Sequence, residues 1–223
     1  MPLCGIDVSH HNGSNVEFFA QQFGVDFIIA KATEGVSFVD KKFDENMKIA
    51  ERHGLLRGAY HYVNPSPQYC NEFRAYQEAK NFVSTVRPYG DCILALDFEE
   101  SNILTGEGVA FLTKVAEYVK AMTGTPPLIY ASESVVKQFD FSGCVKIGCG
   151  LWVAKWKKNT MPKVGQATES DYIKANPREF GMVAIQQISS SGVVDSKVYS
   201  IDVDIAFMSR EAWAKYANPR LYK

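Results

Sequence analysis

Cysteine is sparse and scattered in this chain. Cys4, Cys70, Cys92, Cys144 and Cys149 are odd in number and contain no CxxC pair, which argues against a disulfide framework and against a structural zinc site; reduced, mostly buried thiols are expected. Long apolar runs are missing too. No stretch approaches the ~20 residues a membrane-spanning helix needs. The opening MPLCGIDVSHHNG has neither a basic region nor an apolar segment, so the chain is expected to be soluble and made in the cytoplasm without a signal peptide. Charge of one sign is also absent: 24 basic and 25 acidic residues are interspersed, a pattern that lacks the footprint of a nucleic-acid or anionic-membrane binder and suits a neutral substrate. No linker, low-complexity tract or internal repeat breaks the 223 residues, so residues 1–223 are expected to form a single domain, with a monomer the simplest state.

What the chain does have is apolar mass, 46% of its residues with 13% aromatic, enough for a sizeable core. β-Branched and aromatic runs recur at 4–8, 25–31, 56–62, 92–99, 127–131, 150–156, 182–188 and 199–207, which reads as eight strands. Helix-period stretches lie between the early ones. In FDENMKIAERHG, Phe43, Met47, Ile49 and Ala50 share a face and Gly54 supplies a stop; 71–86 and 106–124 are the clearest helices. Alternation through residue 131 calls for a parallel sheet, and eight strands suggest closure into an irregular α/β barrel of the (β/α)8 kind. From 157 to 181 the pattern is loop-like, so the last strands are expected to lack full helices. An open doubly wound sheet is the rival.

Polar residues gather at strand ends, where parallel barrels build their sites: Asp7, His61, Asp97 with Glu99, Lys155 with Trp156, and Gln187. In CILALDFEE the period of two puts Asp97 and Glu99 on one face, about 7 Å apart at a rise of ~3.3 Å per residue. Repulsion and desolvation raise the pKa of one member of such a pair, giving a proton donor beside a charged partner, which is what glycoside hydrolysis uses. A cap, an ion pair or a metal ligand would use the same triplet. Asp202 and Asp204 in IDVDIAF also share a face, and closure of the barrel would set them beside Asp7; an inward aspartate in an apolar strand is costly without a task. Tyr60, Tyr62, Tyr130, Trp152 and Trp156 could stack on sugar faces or simply pack the core. His10 and His11, with His61, Asp97 and Glu99, could form a metal site, yet neither HxH nor HExxH spacing is present, so neither metal nor cofactor is expected. His53 reads as a helix cap. Ser9 sits in no GxSxG elbow, and AKATEG has no phosphate-loop form; Gly35 suits a turn.

The segments GIDVSHHNG, VDFIIAKATEG, GLLRGAYHYVNP, ILALDFE, PLIYAS, LWVAKW, QISSSG and IDVDIAF, in this order, resemble the muramidases of glycoside hydrolase family 25 over nearly the whole chain. The resemblance implies a flattened barrel of five βα units followed by three less regular strands. It also implies hydrolysis of the β-1,4 bond between N-acetylmuramic acid and N-acetylglucosamine in peptidoglycan, as in phage endolysins and bacterial lysozymes. In the resemblance Glu99 matches the proton donor and Asp97 its partner acid, with the role of orienting or stabilising the substrate's acetamido group. Asp7 matches the aspartate of the GIDVS segment. The late acid maps onto Asp202, and Asp204 falls where asparagine is common. Tyr60 and Tyr62 match pocket aromatics, and His61, Tyr130, Trp152, Lys155, Gln187 and Asp204 complete the expected substrate contacts. Where the family often shows WQY, this chain has Gln186-Gln187-Ile188, so two aromatics are missing near strand seven. Two rivals are a wall-binding module without turnover and a metal-dependent hydrolase using His10, Asp7 and Glu99.

Overall fold

The computed structural model describes residues 2–12, 15–66, 68, 70–99 and 105–217; Gly13, the end of GIDVSHHNG, and the ends of the proposed single domain lie outside this set. The elements run β1 (Leu3–Val8), α1 (Val16–Ala20), β2 (Val25–Glu34), β3 (Phe38–Val39), α2 (Phe43–Arg52), β4 (Leu56–Tyr62), α3 (Glu72–Val86), β5 (Ile93–Asp97), α4 (Gly106–Thr123) and β6 (Leu128–Ser132). They continue with α5 (Glu133–Gln138), α6 (Ser142–Ile147), β7 (Gly150–Ala154), β8 (Val183–Ser189), β9 (Gly192–Val194), β10 (Lys197–Tyr199), β11 (Asp202–Ala206) and α7 (Arg210–Tyr216).

Eight of these strands close into a barrel in the order β1-β11-β8-β7-β6-β5-β4-β2, with β1 pairing β2 to complete the ring. All eight sequence runs become barrel strands, and the three strongest helical stretches become α2, α3 and α4. Local chemistry sets their ends: the Asn71 side chain accepts from Arg74 N, Thr105 accepts from Gly108 N, and Gly124 stops α4 in the left-handed region at φ 76°.

Six neighbouring pairs around the ring are parallel, but β11 runs antiparallel to both β8 and β1. The cause is the connection. Between β8 and β11 the chain makes only the β9–β10 hairpin, whose two turn residues Asp195 and Ser196 take φ 48° and 64°, and no helical crossover returns it to the other end. The run at 199–207 is therefore split, Tyr199 ending β10 and Asp202 opening β11. Neither this hairpin nor β3, which folds back on β2 at Thr33 and Glu34, carries a strong turn signal in the sequence.

Two apolar layers follow from the period of two. Outward residues such as Ile28, Ala30, Leu94, Leu96, Ile129 and Val153 pack against the helices, while Phe27, Ile29, Ile93, Ala95, Leu128 and Ile185 fill the barrel. Gly5 lets this interior close, because a Cβ there would sit 2.4 Å from the Phe27 ring. α7 plugs the end opposite the site: Trp213 is 1% exposed, with its ring 4.8 Å from that of Phe27. The long segment from β7 to β8 has no α-helix, and a buried amide is among the groups that fasten it. Gln186 Nε2 donates to the carbonyls of Lys155 and Ile173, both at 3.0 Å, and Oε1 accepts from Ala175 N at 3.2 Å. Because the Trp213 ring is the floor of the interior, Trp213→Ala should cost roughly 3–5 kcal/mol in chemical denaturation, with the midpoint of unfolding falling accordingly.

Candidate active site

The inward positions of the strands change character at the end of the barrel where the parallel strands finish. Low in the ring they are Gly5, Phe27, Gly58, Ile93 and Leu128. One or two inward steps higher they are Asp7, Lys31, Tyr60, Asp97, Tyr130, Trp152 and Gln187. Register brings them level: Tyr62 is paired with Asp97, Asp97 with Tyr130, Tyr130 with Trp152, and Gln187 with Asp204. Since β11 runs the other way, its first residue, Asp202, reaches this same end and lies opposite Asp7.

A cavity of about 230 Å³ opens here, walled by the carboxyls of Asp7, Asp97, Glu99 and Asp202, the rings of Tyr60, Tyr130, Trp152 and Trp156, and the Gln187 amide. A second cleft of about 480 Å³ adjoins it, sharing Glu99, Tyr130 and Trp156 and adding Ser132, Ser134, Gln138 and Phe139. Glu99 is exposed while Asp97 is buried, and Phe98 between them is turned into the helix layer, where its ring meets Phe141. Gln187 ties the walls together. Its Nε2 donates to Asp7 Oδ2 at 2.8 Å, and its Oε1 accepts both Tyr130 Oη–H and Trp156 Nε1–H at 3.1 Å. Trp156, more than half exposed, is thereby held as the partition between the two chambers.

Burial and crowding govern the acids. Desolvation pushes Asp7 well above the usual carboxylate range, aided by repulsion from Asp204 and Glu99 and opposed by the Gln187 hydrogen bond. Asp97 is raised well above it as well, by burial and then by Glu99 and Asp7, with Lys31 pulling the other way. Burial, with Asp7 and Glu99, lifts Asp202 to about 8. Among the described residues Asp97 Oδ1 is buried and meets no donor.

Several expected contacts lie elsewhere. His61, expected beside the two tyrosines, instead faces out between inward Tyr60 and Tyr62; it is fully buried against α3, bonded to Thr33 Oγ1 at 2.8 Å and Glu78 Oε2 at 3.1 Å. Lys155 turns to Glu133 Oε1 at 2.8 Å and the Lys174 carbonyl at 3.0 Å, and so pins the β7–β8 segment instead of the mouth. Asp204 is fully buried below the cavity wall, accepting Trp152 Nε1–H at 2.8 Å. Tyr62 stands on the rim, its ring centroid 4.8 Å from Lys31 Nζ. Gln186 and Ile188 both point away from the mouth, so the missing aromatics at those positions do not thin its walls. His10 Nδ1 is engaged by Asp40 Oδ2 at 2.6 Å, and no group of three His, Cys, Asp or Glu side chains among the described residues is arranged to hold a metal, so the His10, Asp7, Glu99 set is not assembled. His53, expected as a cap, does occupy the C-cap of α2, where its ring meets Glu17.

Lys31 was missed. It lies 8% exposed within β2, paired with Glu34 Oε2 at 2.7 Å at that strand's end. Its signal was a single cation at an inward position of the apolar run VDFIIAK. The wall of the second cleft, from Ser132 to Phe139, was missed also and carried no motif.

A sequence profile of the glycosyl hydrolases family 25 matches residues 6–176. The chain belongs to this family. Uncharacterized protein YegX of Escherichia coli K12 is 34% identical over 108 residues, covering 47% of this chain and 37% of YegX. Lysozyme M1 of Streptomyces globisporus is 42% identical over 62 residues, 28% of this chain and 21% of that protein. The chain thus spans well under half the length of these relatives. The bacterial lysozyme from Streptomyces coelicolor, 24% identical, has the same fold, with a TM-score of 0.74 over 98% of both chains. The family match ends before β8, so the placing of Gln187, Asp202 and Asp204 rests on the barrel itself.

The raised acids make stability fall with pH. A carboxyl near 3.9 when unfolded and near 8 when folded, as for Asp202, keeps a proton in the folded state that the unfolded chain releases. Its contribution is complete below pH ~4 and lost as pH climbs toward 8, at roughly 1.4 kcal/mol per unit for each such proton. Calorimetry across this window should show the unfolding midpoint dropping, and Asp202→Asn should flatten the slope.

Proposed function

We propose that this chain is a peptidoglycan hydrolase that cleaves the β-1,4 bond between N-acetylmuramic acid and N-acetylglucosamine. The observation that carries the proposal is the convergence of Asp7, Asp97, Glu99 and Asp202 on one cavity walled by four aromatic rings. Sugars offer apolar C–H faces to such rings, and a neutral glycan meets no opposing field from a chain with formal net charge −1.

In this reading Glu99, the exposed acid at the junction of the two chambers, gives its proton to the glycosidic oxygen. The C1–O bond then breaks, with positive charge growing on the sugar ring, and water finally adds at C1 while its surplus proton returns to the Glu99 carboxylate. The carboxyl oxygens already fixed around the cavity face that charge without reorganising. Asp97 Oδ1, buried without a donor, suits an acetamido N–H; accepting it would relieve an unsatisfied group and align the sugar. Gln187 holds Asp7 and Trp156 in place for the same substrate. The four acids are costly in an apolar barrel, which favours turnover over mere wall binding. No transmembrane-length apolar helix occurs among the described residues, and the site of action proposed is the bacterial wall.

Purified cell walls should lose turbidity with the wild-type protein and release fragments whose reducing end is muramic acid by mass spectrometry. Glu99→Gln should lower the rate ~10²- to 10⁴-fold with an unchanged unfolding midpoint, and Asp97→Asn should lower it severely. Wild-type clearing by Glu99→Gln would remove the proton-donor assignment. Walls pulled down but never cleared would leave a binding module, and activity lost to chelator and restored by a divalent ion would favour the metal-dependent reading.

A further inference from the structure

Below the cavity wall lies a polar contact that catalysis by Glu99 does not itself require. Asp204 is fully buried, on the inward face of β11 between β1 and β8. Its Oδ1 accepts Trp152 Nε1–H at 2.8 Å, while Oδ2 is buried and meets no nitrogen or hydroxyl donor among the described residues. Across the β1–β11 pairing Asp204 lies opposite Gly5 and Asp202 opposite Asp7, so the Asp204 carboxyl is one inward step from that of Asp7 and interacts with it; Asp7 is 7% exposed and takes Gln187 Nε2 on Oδ2. Two ionised carboxylates in contact, both shut off from water, repel strongly at low dielectric, whereas an acid and a carboxylate form a short, strong hydrogen bond. A proton placed between them also supplies the donor that Asp204 Oδ2 lacks.

We infer that Asp204 is a positioning residue that shares one proton with Asp7, and that the hydrogen bond so formed, together with the Gln187 amide, fixes the Asp7 carboxyl in the mouth. The pair then carries one negative charge, held from below by the Trp152 indole. The titratable groups around it are Asp202 on the same strand, Asp97 and Glu99 at the end of β5, Tyr60 on β4 and Tyr130 on β6, with Lys31 of β2 beside Asp97. Burial dominates the acids here, and each ionised neighbour favours retention of the shared proton. The effect on turnover rests on the proposed catalytic role of the mouth; the shared proton itself does not.

Asp204→Asn is the decisive variant, since its amide can donate to Asp7 at every pH, and Asp204→Leu removes the bond while keeping the volume. Infrared difference spectra at neutral pH should show one un-ionised carboxylic acid in the wild type that Asp204→Asn lacks. The unfolding midpoint of Asp204→Asn should gain on the wild type as pH rises from ~4 to ~8, because the shared proton is what the wild type must keep against rising pH. In wall clearing, Asp204→Asn should retain most of the activity and Asp204→Leu should lose at least about tenfold. No acid signal lost, with a midpoint difference that is flat with pH, would overturn the inference even if Asp204→Leu fails to fold. Should no form clear walls while the infrared and midpoint results hold, the shared proton stands and the catalytic reading falls.

Discussion

The pairing of β11 with β1 on one side and β8 on the other is the constraint from which the rest follows. Without it the sheet would be an open ladder ending at β8, and Asp7 would lie on an edge, distant from the late acids. With it, the first and last strands of the ring become neighbours, and residues nearly two hundred positions apart share one cavity. Direction matters as much as adjacency. Only an antiparallel β11 brings its leading residue, Asp202, to the end where β1 finishes in Asp7 and β5 finishes in Asp97. A helical crossover would have returned the strand parallel and sent the same aspartates to the floor beside Phe27. The hairpin with Asp195 and Ser196 at its turn is therefore a determinant of the site, although it lies outside the cavity.

Closure creates a burden that the ring must carry. Carboxyls on inward faces of a barrel otherwise filled by Phe27, Ile29, Leu128 and Ile185 lose hydration, and each raises the proton affinity of the others. Donors offset part of this: the Gln187 amide on Asp7, the Trp152 indole on Asp204, and Lys31 next to Asp97. The offset is incomplete, as Asp97 Oδ1 shows. The apolar floor sealed by Trp213 supplies stability against which such a mouth can persist, so the two ends of the barrel differ in kind, packed apolar side chains at one and a costly cluster of acids at the other.

Much of this was legible in the chain. All eight runs rich in Val, Ile and aromatic residues are barrel strands, and the capped, periodic stretches are α2, α3 and α4, because strand interiors such as ILAL are buried on both faces and helices advertise their ends by Asn71, Thr105 and Gly124. Period two correctly aligned Asp97 with Glu99. Applied residue by residue it also separates His61 from Tyr60 and Tyr62, and Gln186 from Gln187; grouping neighbours by proximity in sequence obscured that. What the chain did not disclose was strand direction after residue 189, since the hairpin carries no Asn-Gly signal, and the partnership of Lys155 with Glu133, which depends on how a helix-free segment is folded back. Lys31 was visible as an isolated cation in an apolar strand, but nothing local tied it to Asp97.

The geometry also bears on how the two chambers could act together. They meet at Glu99, Tyr130 and Trp156, and a single amide, Gln187, bonds Tyr130 and Trp156 through its oxygen and Asp7 through its nitrogen. One planar group thus sets the height of the partition and the orientation of a buried acid. The Trp156 ring stands between the two chambers, and its indole N–H is held by the same Gln187 amide that donates to Asp7. The cleft side and the acidic side are in this way joined by hydrogen bonds at the ends of β7 and β8, the two strands whose connection is held by the adjacent residue, Gln186. That neighbouring inward and outward glutamines hold the cavity and its supporting loop explains why amides, with a donor and an acceptor on one rigid plane, occupy both positions.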